Sequence, residues 1–296
     1  MTGPRGPAGL PGPADLPGPV CPARAPAGQV PVTTHAEHVM GTVFSFTAVH
    51  GGAPRSAVRA ALDAARRMLH HYDALFSTWN PDSPVSRLRR GEATLGQMPP
   101  EFAEVLAECR AAKAASGGWF DPWAMPGGFD PTGLVKGWAT ERALEALRGA
   151  GMAGALVNGG GDVAVFGAPA GGQRWRVGIR HPWRPDALAC VIELGLGPAG
   201  GSGGSPPRAG MAAVATSGPY ERGAHLIDPA TGRPASRAAS ATVTGPSLAL
   251  ADALATGVAV GGDEALALVA GLPGYAGYLI RPDGSEADTG NIAFAR

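Results

Sequence analysis

Residues 40–49 (MGTVFSFTAV) set β-branched and aromatic side chains between short polar ones, a pattern that predicts a strand. From Pro54 the period changes. Val58, Leu62, Ala65, Leu69, Tyr72 and Phe76 recur at alternating steps of four and three, which puts them on one face of a long helix opened by a first-turn proline. A second helix is expected between the Pro99-Pro100 pair and Gly117-Gly118, and a third from about Gly133 to Leu147, closed by Gly149. Short strands are expected at 153–157, 162–166, 174–180, 187–194, 211–216, 224–227 and 240–245. A helix over 247–260, another from Asp263 and a last strand over 275–280 complete the pattern. Mostly antiparallel strands with segregated helices argue for an α+β fold.

The N-terminal stretch departs from this pattern. Nine of the 29 prolines and six glycines fall within residues 1–31, with no apolar cluster. Four Gly-X-Y triplets over residues 3–14 are too few for a collagen helix, so residues 1–34 read as a disordered tail ahead of one domain over 35–296. The tail has no apolar core of a secretory signal, and no apolar stretch precedes Cys21, so a cytoplasmic location is expected. No apolar run approaches the ~20 residues of a membrane span. Residues 195–207 (GLGPAGGSGGSPP) read as a surface loop. Lys+Arg and Asp+Glu both number 24, which leaves no basic surplus for nucleic acid. Cys21, Cys109 and Cys190 form no metal or disulfide framework, and Cys109 and Cys190 read as structural.

Candidate chemistry gathers in a few places. Asp252 and Thr256 stand four apart in an Ala/Leu-rich helix, so both oxygens share one face. A carboxylate in so apolar a helix needs a partner, and with a hydroxyl beside it suits a hard cation such as Mg²⁺; local capping is the alternative. Asp130-Pro131-Thr132-Gly133 leads through Lys136 into the third helix, where exposed N–H groups and the helix dipole suit phosphate, or simply cap a turn. Asn158-Gly159-Gly160-Gly161-Asp162 reads as a hairpin turn rather than a dinucleotide fingerprint. His225 precedes Asp228-Pro229, where it can serve as a general base. Ser217 lacks the surroundings of a hydrolase nucleophile. His70 and His71 fall on a helix surface, and His35, His38, His50 and His181 form no ligand cluster.

The order of these blocks carries more information than any one of them. Met40-Gly41-Thr42, Phe76 to Ser83, Trp119-Phe120-Asp121-Pro122, Asp130 to Gly137, Val157 to Asp162, Thr216-Ser217-Gly218, His225 to Gly232 and Ala251-Asp252 to Thr256 follow one another in a succession that resembles the ApbE family of FAD:protein FMN transferases. The resemblance covers about residues 36–280. It implies a T-fold-like architecture of two intertwined α/β halves with an FAD cleft between them. It also implies Mg²⁺-dependent transfer of FMN from FAD to a threonine of an acceptor flavoprotein, with AMP released. By position, Gly133, Asp252 and Thr256 would ligate Mg²⁺, and Met40, Trp79, Trp119, Phe120, Asp121, Asp130, Lys136 and Ile227 would contact FAD. His225 matches the histidine that deprotonates the threonine. FAD pyrophosphatase activity and non-catalytic flavin binding are the alternatives. The sequence departs from its relatives in lacking their common lipoprotein signal, in the six residues between Pro122 and Phe129, and in Lys136, where some relatives carry a carboxylate.

Overall fold

The computed structural model describes residues 30–195, 210–222 and 226–295. Most of the expected Pro/Gly-rich tail and of the 195–207 loop lies outside these residues. The first strand, β1 (Val32–Val39), starts before His35 and pairs antiparallel with β2 (Thr42–Val49). β1 has alternating exposure and carries His35, Glu37 and His38 on a sheet edge, which is why hydropathy alone passes over it. The turn between the two strands is Met40-Gly41, with φ of 54° and 66°. Two positive values are what a tight two-residue hairpin requires, and Met40 is the one non-glycine residue to adopt one among the described residues.

Helix α1 (Arg55–Phe76) buries the expected stripe of Val58, Leu62, Ala65, Leu69, Tyr72 and Phe76. Pro54 stands just outside it as the capping residue. A short helix not anticipated from the sequence, α2 (Pro84–Arg89), follows; Ser83 caps it by accepting the Ser86 N–H (3.1 Å). α3 (Glu101–Ala115) and α4 (Thr132–Gly149) match the second and third expected helices. Next come β3 (Gly154–Gly159), β4 (Asp162–Gly167), β5 (Trp175–Arg180), β6 (Leu188–Leu194) and β7 (Met211–Ser217). Gly160-Gly161 forms the two-residue turn between β3 and β4, the hairpin expected there.

The one-turn α5 (Pro219–Arg222) precedes β8 (Ser240–Gly245), α6 (Leu248–Gly261), α7 (Asp263–Ala270), β9 (Ala276–Ile280) and β10 (Glu286–Asp288). Of the strand expected over 224–227, residues 224 and 225 lie outside the described residues; Leu226 is not in a strand, and Ile227 makes an isolated bridge to Pro234. Asp228 turns the chain there, its carbonyl accepting the Thr231 and Gly232 N–H groups.

Eight strands form one antiparallel sheet in the order β1-β2-β3-β4-β7-β8-β9-β10. The strands before and after the β5–β6 hairpin meet at the β4–β7 pair. Helices α1, α4 and α6 cover one face, where Phe44, Phe46, Leu69, Trp138, Leu144 and Leu254 build the main core. Within this helical layer α6 is buried at nearly every position. It also approaches α4 so closely that a Cβ on Gly137 would lie 2.6 Å from the Leu248 carbonyl oxygen. On the other face, Trp175, Ile179, Ile192 and Leu194 of the β5–β6 hairpin close over Val163, Val165 and Val214. Among the described residues no helix is long and apolar enough to cross a membrane.

Candidate active site

A cavity of about 660 Å³ opens where the β1–β2 turn, the C-terminal ends of α1 and β7, the N-terminus of α4 and the middle of α6 converge. Each candidate residue that the structure describes lines it: Met40, Trp79, Trp119, Phe120, Asp121, Asp130, Gly133, Lys136, Ile227, Asp252 and Thr256. His225 lies outside the described residues; Leu226 and Ile227, which follow it in the sequence, line the cavity.

Asp252 and Thr256 face the cavity from adjacent turns of α6. Asp252 is only 3% exposed, and its Oδ2 accepts the Gly137 N–H from α4 (3.1 Å). Thr256 Oγ1 is hydrogen-bonded to Ser217 Oγ (3.2 Å) at the end of β7. Gly133 packs against Thr256: a Cβ there would lie 3.4 Å from Thr256 Oγ1 and 3.2 Å from the Phe120 ring. A carboxylate, two hydroxyls and a helix-terminal backbone thus line the same cavity. Ser217, set aside as a hydrolase nucleophile, is one of the hydroxyls, and its described partner is Thr256 rather than a base.

Lys136 points along the same wall, its Nζ 2.6 Å from Asp162 Oδ2. Asp162 is 1% exposed, and its Oδ1 accepts the Thr216 N–H (3.1 Å), so one carboxylate joins the start of β4, the end of β7 and α4. Sequence reading placed Asp162 in a turn and missed this function. The signal available was an acid opening a strand that is otherwise wholly apolar.

Two further cavity aspartates, Asp121 and Asp130, are each tied to a cation from outside. Asp121 pairs with Lys113 of α3 (2.6 Å), and Asp130 pairs with Arg89 of α2 (3.0 Å) while its Oδ1 accepts the Thr132 N–H (3.0 Å). These contacts fix the 121–132 loop that feeds α4. Trp119 lies across α6, where a Cβ on Gly261 would fall 2.6 Å from its ring, and the Arg237 guanidinium sits 5.0 Å above it. Trp79, by contrast, is 91% exposed at the rim.

Residues 40–128 and 125–279 match the model of the ApbE family. The chain belongs to the ApbE family. It is 32% identical over 145 residues to the FAD:protein FMN transferase of Vibrio cholerae serotype O1, covering 46% of this chain and 39% of that one. The FAD:protein FMN transferase of Rhodobacter capsulatus is 35% identical over 166 residues, covering 53% of this chain and 29% of that one. These matches span well under half the length of the curated ApbE relatives.

The fold agrees over far more of the chain. The flavin transferase ApbE from Vibrio cholerae superposes with a TM-score of 0.69 at 20% identity, covering 89% of this chain and 98% of that one. The ApbE protein of Thermotoga maritima gives 0.72 at 21% identity, over 87% and 96%.

Among the described residues, no histidine or cysteine lines the cavity. His70 and His71 are exposed on α1, paired with Glu37 and Glu101. Among the described residues no three His, Cys, Asp or Glu side chains form a metal cluster. Burial pushes the Cys109 thiol up to about 12 and the Cys190 thiol to about 11, consistent with structural roles.

Proposed function

We propose that this chain transfers FMN from FAD to a threonine hydroxyl of an acceptor flavoprotein, with Mg²⁺ and with release of AMP. The observation that carries the reading is the convergence of chain-distant blocks on one cavity of about 660 Å³, with Asp252, Thr256 and Ser217 clustered in its wall. Family membership and the names of the curated relatives support the same chemistry.

The donor set fits a hard cation. Oxygen donors alone, one of them a nearly buried carboxylate, suit Mg²⁺, which binds through one or two carboxylates and substrate phosphates. Asp252, Thr256 and the Gly133 carbonyl would hold the ion, and Ser217 stands beside them. When bound, Mg²⁺ supplies positive charge that offsets the build-up of negative charge on the pyrophosphate.

The chain's own groups do the rest. The α4 N-terminus directs its dipole at the same region, and Lys136 adds a point charge held in place by Asp162. Trp79 offers an open ring face for stacking on the flavin or adenine. His225 takes the proton from the acceptor threonine. The threonine oxygen forms a bond to the FMN phosphorus, the bond from that phosphorus to the bridging oxygen breaks, and AMP leaves with that oxygen. The product is a phosphodiester. Positioning and charge stabilisation account for such a transfer without a covalent enzyme intermediate.

The test incubates the full chain with FAD, Mg²⁺ and a threonine-bearing acceptor flavoprotein, and measures protein-bound flavin fluorescence in denaturing gels. Label that disappears when the acceptor threonine is replaced by valine supports the proposal. Free FMN and AMP with no labelled acceptor would instead identify a pyrophosphatase, and unchanged FAD a flavin-binding protein.

A further inference from the structure

We propose that Glu141 is a positioning residue for the cation site, holding α6 in register against α4; this deepens the Mg²⁺ reading above and rests on it. The two helices touch through a four-residue ladder. Gly133 of α4 faces Thr256, Gly137 donates its N–H to Asp252, and Glu141 accepts the N–H groups of Leu248 and, at 3.4 Å, Ala249. Each step of four along α4 is matched by a step of four back along α6. The rung that carries Glu141 therefore fixes the two rungs that carry Asp252 and Thr256.

Burial makes this rung necessary. The first N–H groups of a helix have no partner within it, and α6 is so buried that its first turn cannot rely on water. The Ser247 hydroxyl accepts the Leu250 N–H (3.3 Å). Glu141, itself 4% exposed, reaches from the neighbouring helix to serve Leu248 and Ala249. A carboxylate is favoured there by the positive end of the helix. Without it the start of α6 must move to find other acceptors, and Gly137 already lies too close to Leu248 for α6 to move inward.

The test titrates Mn²⁺ into the full chain, reads binding by electron paramagnetic resonance, and compares wild type with Glu141→Gln, Glu141→Asp, Glu141→Ala and Asp252→Ala. Glutamine keeps the oxygen acceptor at full reach, whereas aspartate keeps the charge but retracts it. The expected result is Mn²⁺ affinity close to wild type for Glu141→Gln and roughly 10–100-fold weaker for Glu141→Asp and Glu141→Ala, as for other groups that orient a ligand. If Glu141→Ala does not fold, the comparison of Gln with Asp decides. Wild-type affinity in Glu141→Asp, or a loss in Glu141→Gln as large as in Glu141→Asp, would overturn the positioning role. A lowered melting temperature with unchanged Mn²⁺ affinity in Glu141→Asp and Glu141→Ala would do the same. If wild type and Asp252→Ala bind Mn²⁺ equally, the metal reading itself fails.

Discussion

Replacing Gly137 by alanine tests the close crossing of α4 and α6 that brings the site together. In an exposed helix the change would stabilise by about 1 kcal/mol, because alanine is the better helix former. Here the new Cβ would meet the Leu248 carbonyl oxygen at 2.6 Å, its carbon at 2.9 Å and the Ala249 Cα at 3.1 Å. These are backbone atoms of a buried helix and cannot swing aside as a side chain would. Overpacking of this kind costs about 1–3 kcal/mol, and the absence of a yielding partner favours the upper end. The net expectation is a loss of about 1–2 kcal/mol after the propensity gain is subtracted.

Gly149, the last residue of the same helix, is the internal control. Nothing lies within 4 Å of a Cβ there, so Gly149→Ala should be neutral or stabilise by up to about 1 kcal/mol. Equilibrium urea denaturation of the full chain, followed by circular dichroism, measures both. A Gly137→Ala variant as stable as wild type would refute the reasoning, as would equal shifts in the two variants.

Three further outcomes are expected. Glu37 is held down at about 2, against 4.5, chiefly by hydrogen bonds from the Arg66 guanidinium and then from His70. A depressed folded value means its stabilisation is present above about 4.5 and is lost as pH falls towards about 2, so the stability advantage of wild type over Glu37→Gln should shrink across that window in acid urea titrations; a constant difference would count against the pairing. Lys136→Met should destabilise by about 3 kcal/mol because it strands the buried Asp162 carboxylate, and adding Asp162→Asn should recover most of the loss; equal stabilities in calorimetry would count against this. Trp79→Ala should leave the melting temperature unchanged but weaken FAD binding by about 1–3 kcal/mol, the usual worth of an aromatic stack, and unchanged affinity would remove Trp79 from the binding site.

Much of the architecture was legible because local pattern and tertiary role coincide. The α1 stripe and the boundaries of α3, α4 and α6 follow from residues whose neighbours in sequence are also their packing context. β1 was not legible, since Thr34, His35, Glu37 and His38 give it no apolar face, and only pairing with β2 makes it a strand. Of the expected strand at 224–227 only Leu226 and Ile227 are described, and there Ile227 makes a single bridge to Pro234 ahead of the Asp228 turn.

The candidate site shows the same division. Asp252 and Thr256 stood out as polar residues on an apolar helix. The partners that position them are remote: Gly137 lies 115 residues from Asp252, Ser217 39 from Thr256, and Glu141 107 from Leu248. No spacing rule reaches across such separations. A sequence can mark the oxygen that must be paired without naming its partner. Met40 was recognised by resemblance; the positive φ that the two-residue hairpin gives it was not legible in the sequence.

The most direct test of the central claim is the calorimetric affinity of the chain for FAD, measured with Mg²⁺ and again with chelator, in wild type and in Asp252→Ala. A cation gripped between Asp252, Thr256 and the pyrophosphate predicts tighter wild-type binding with Mg²⁺ and no such difference in the variant. Equal wild-type affinity with and without the chelator would contradict it.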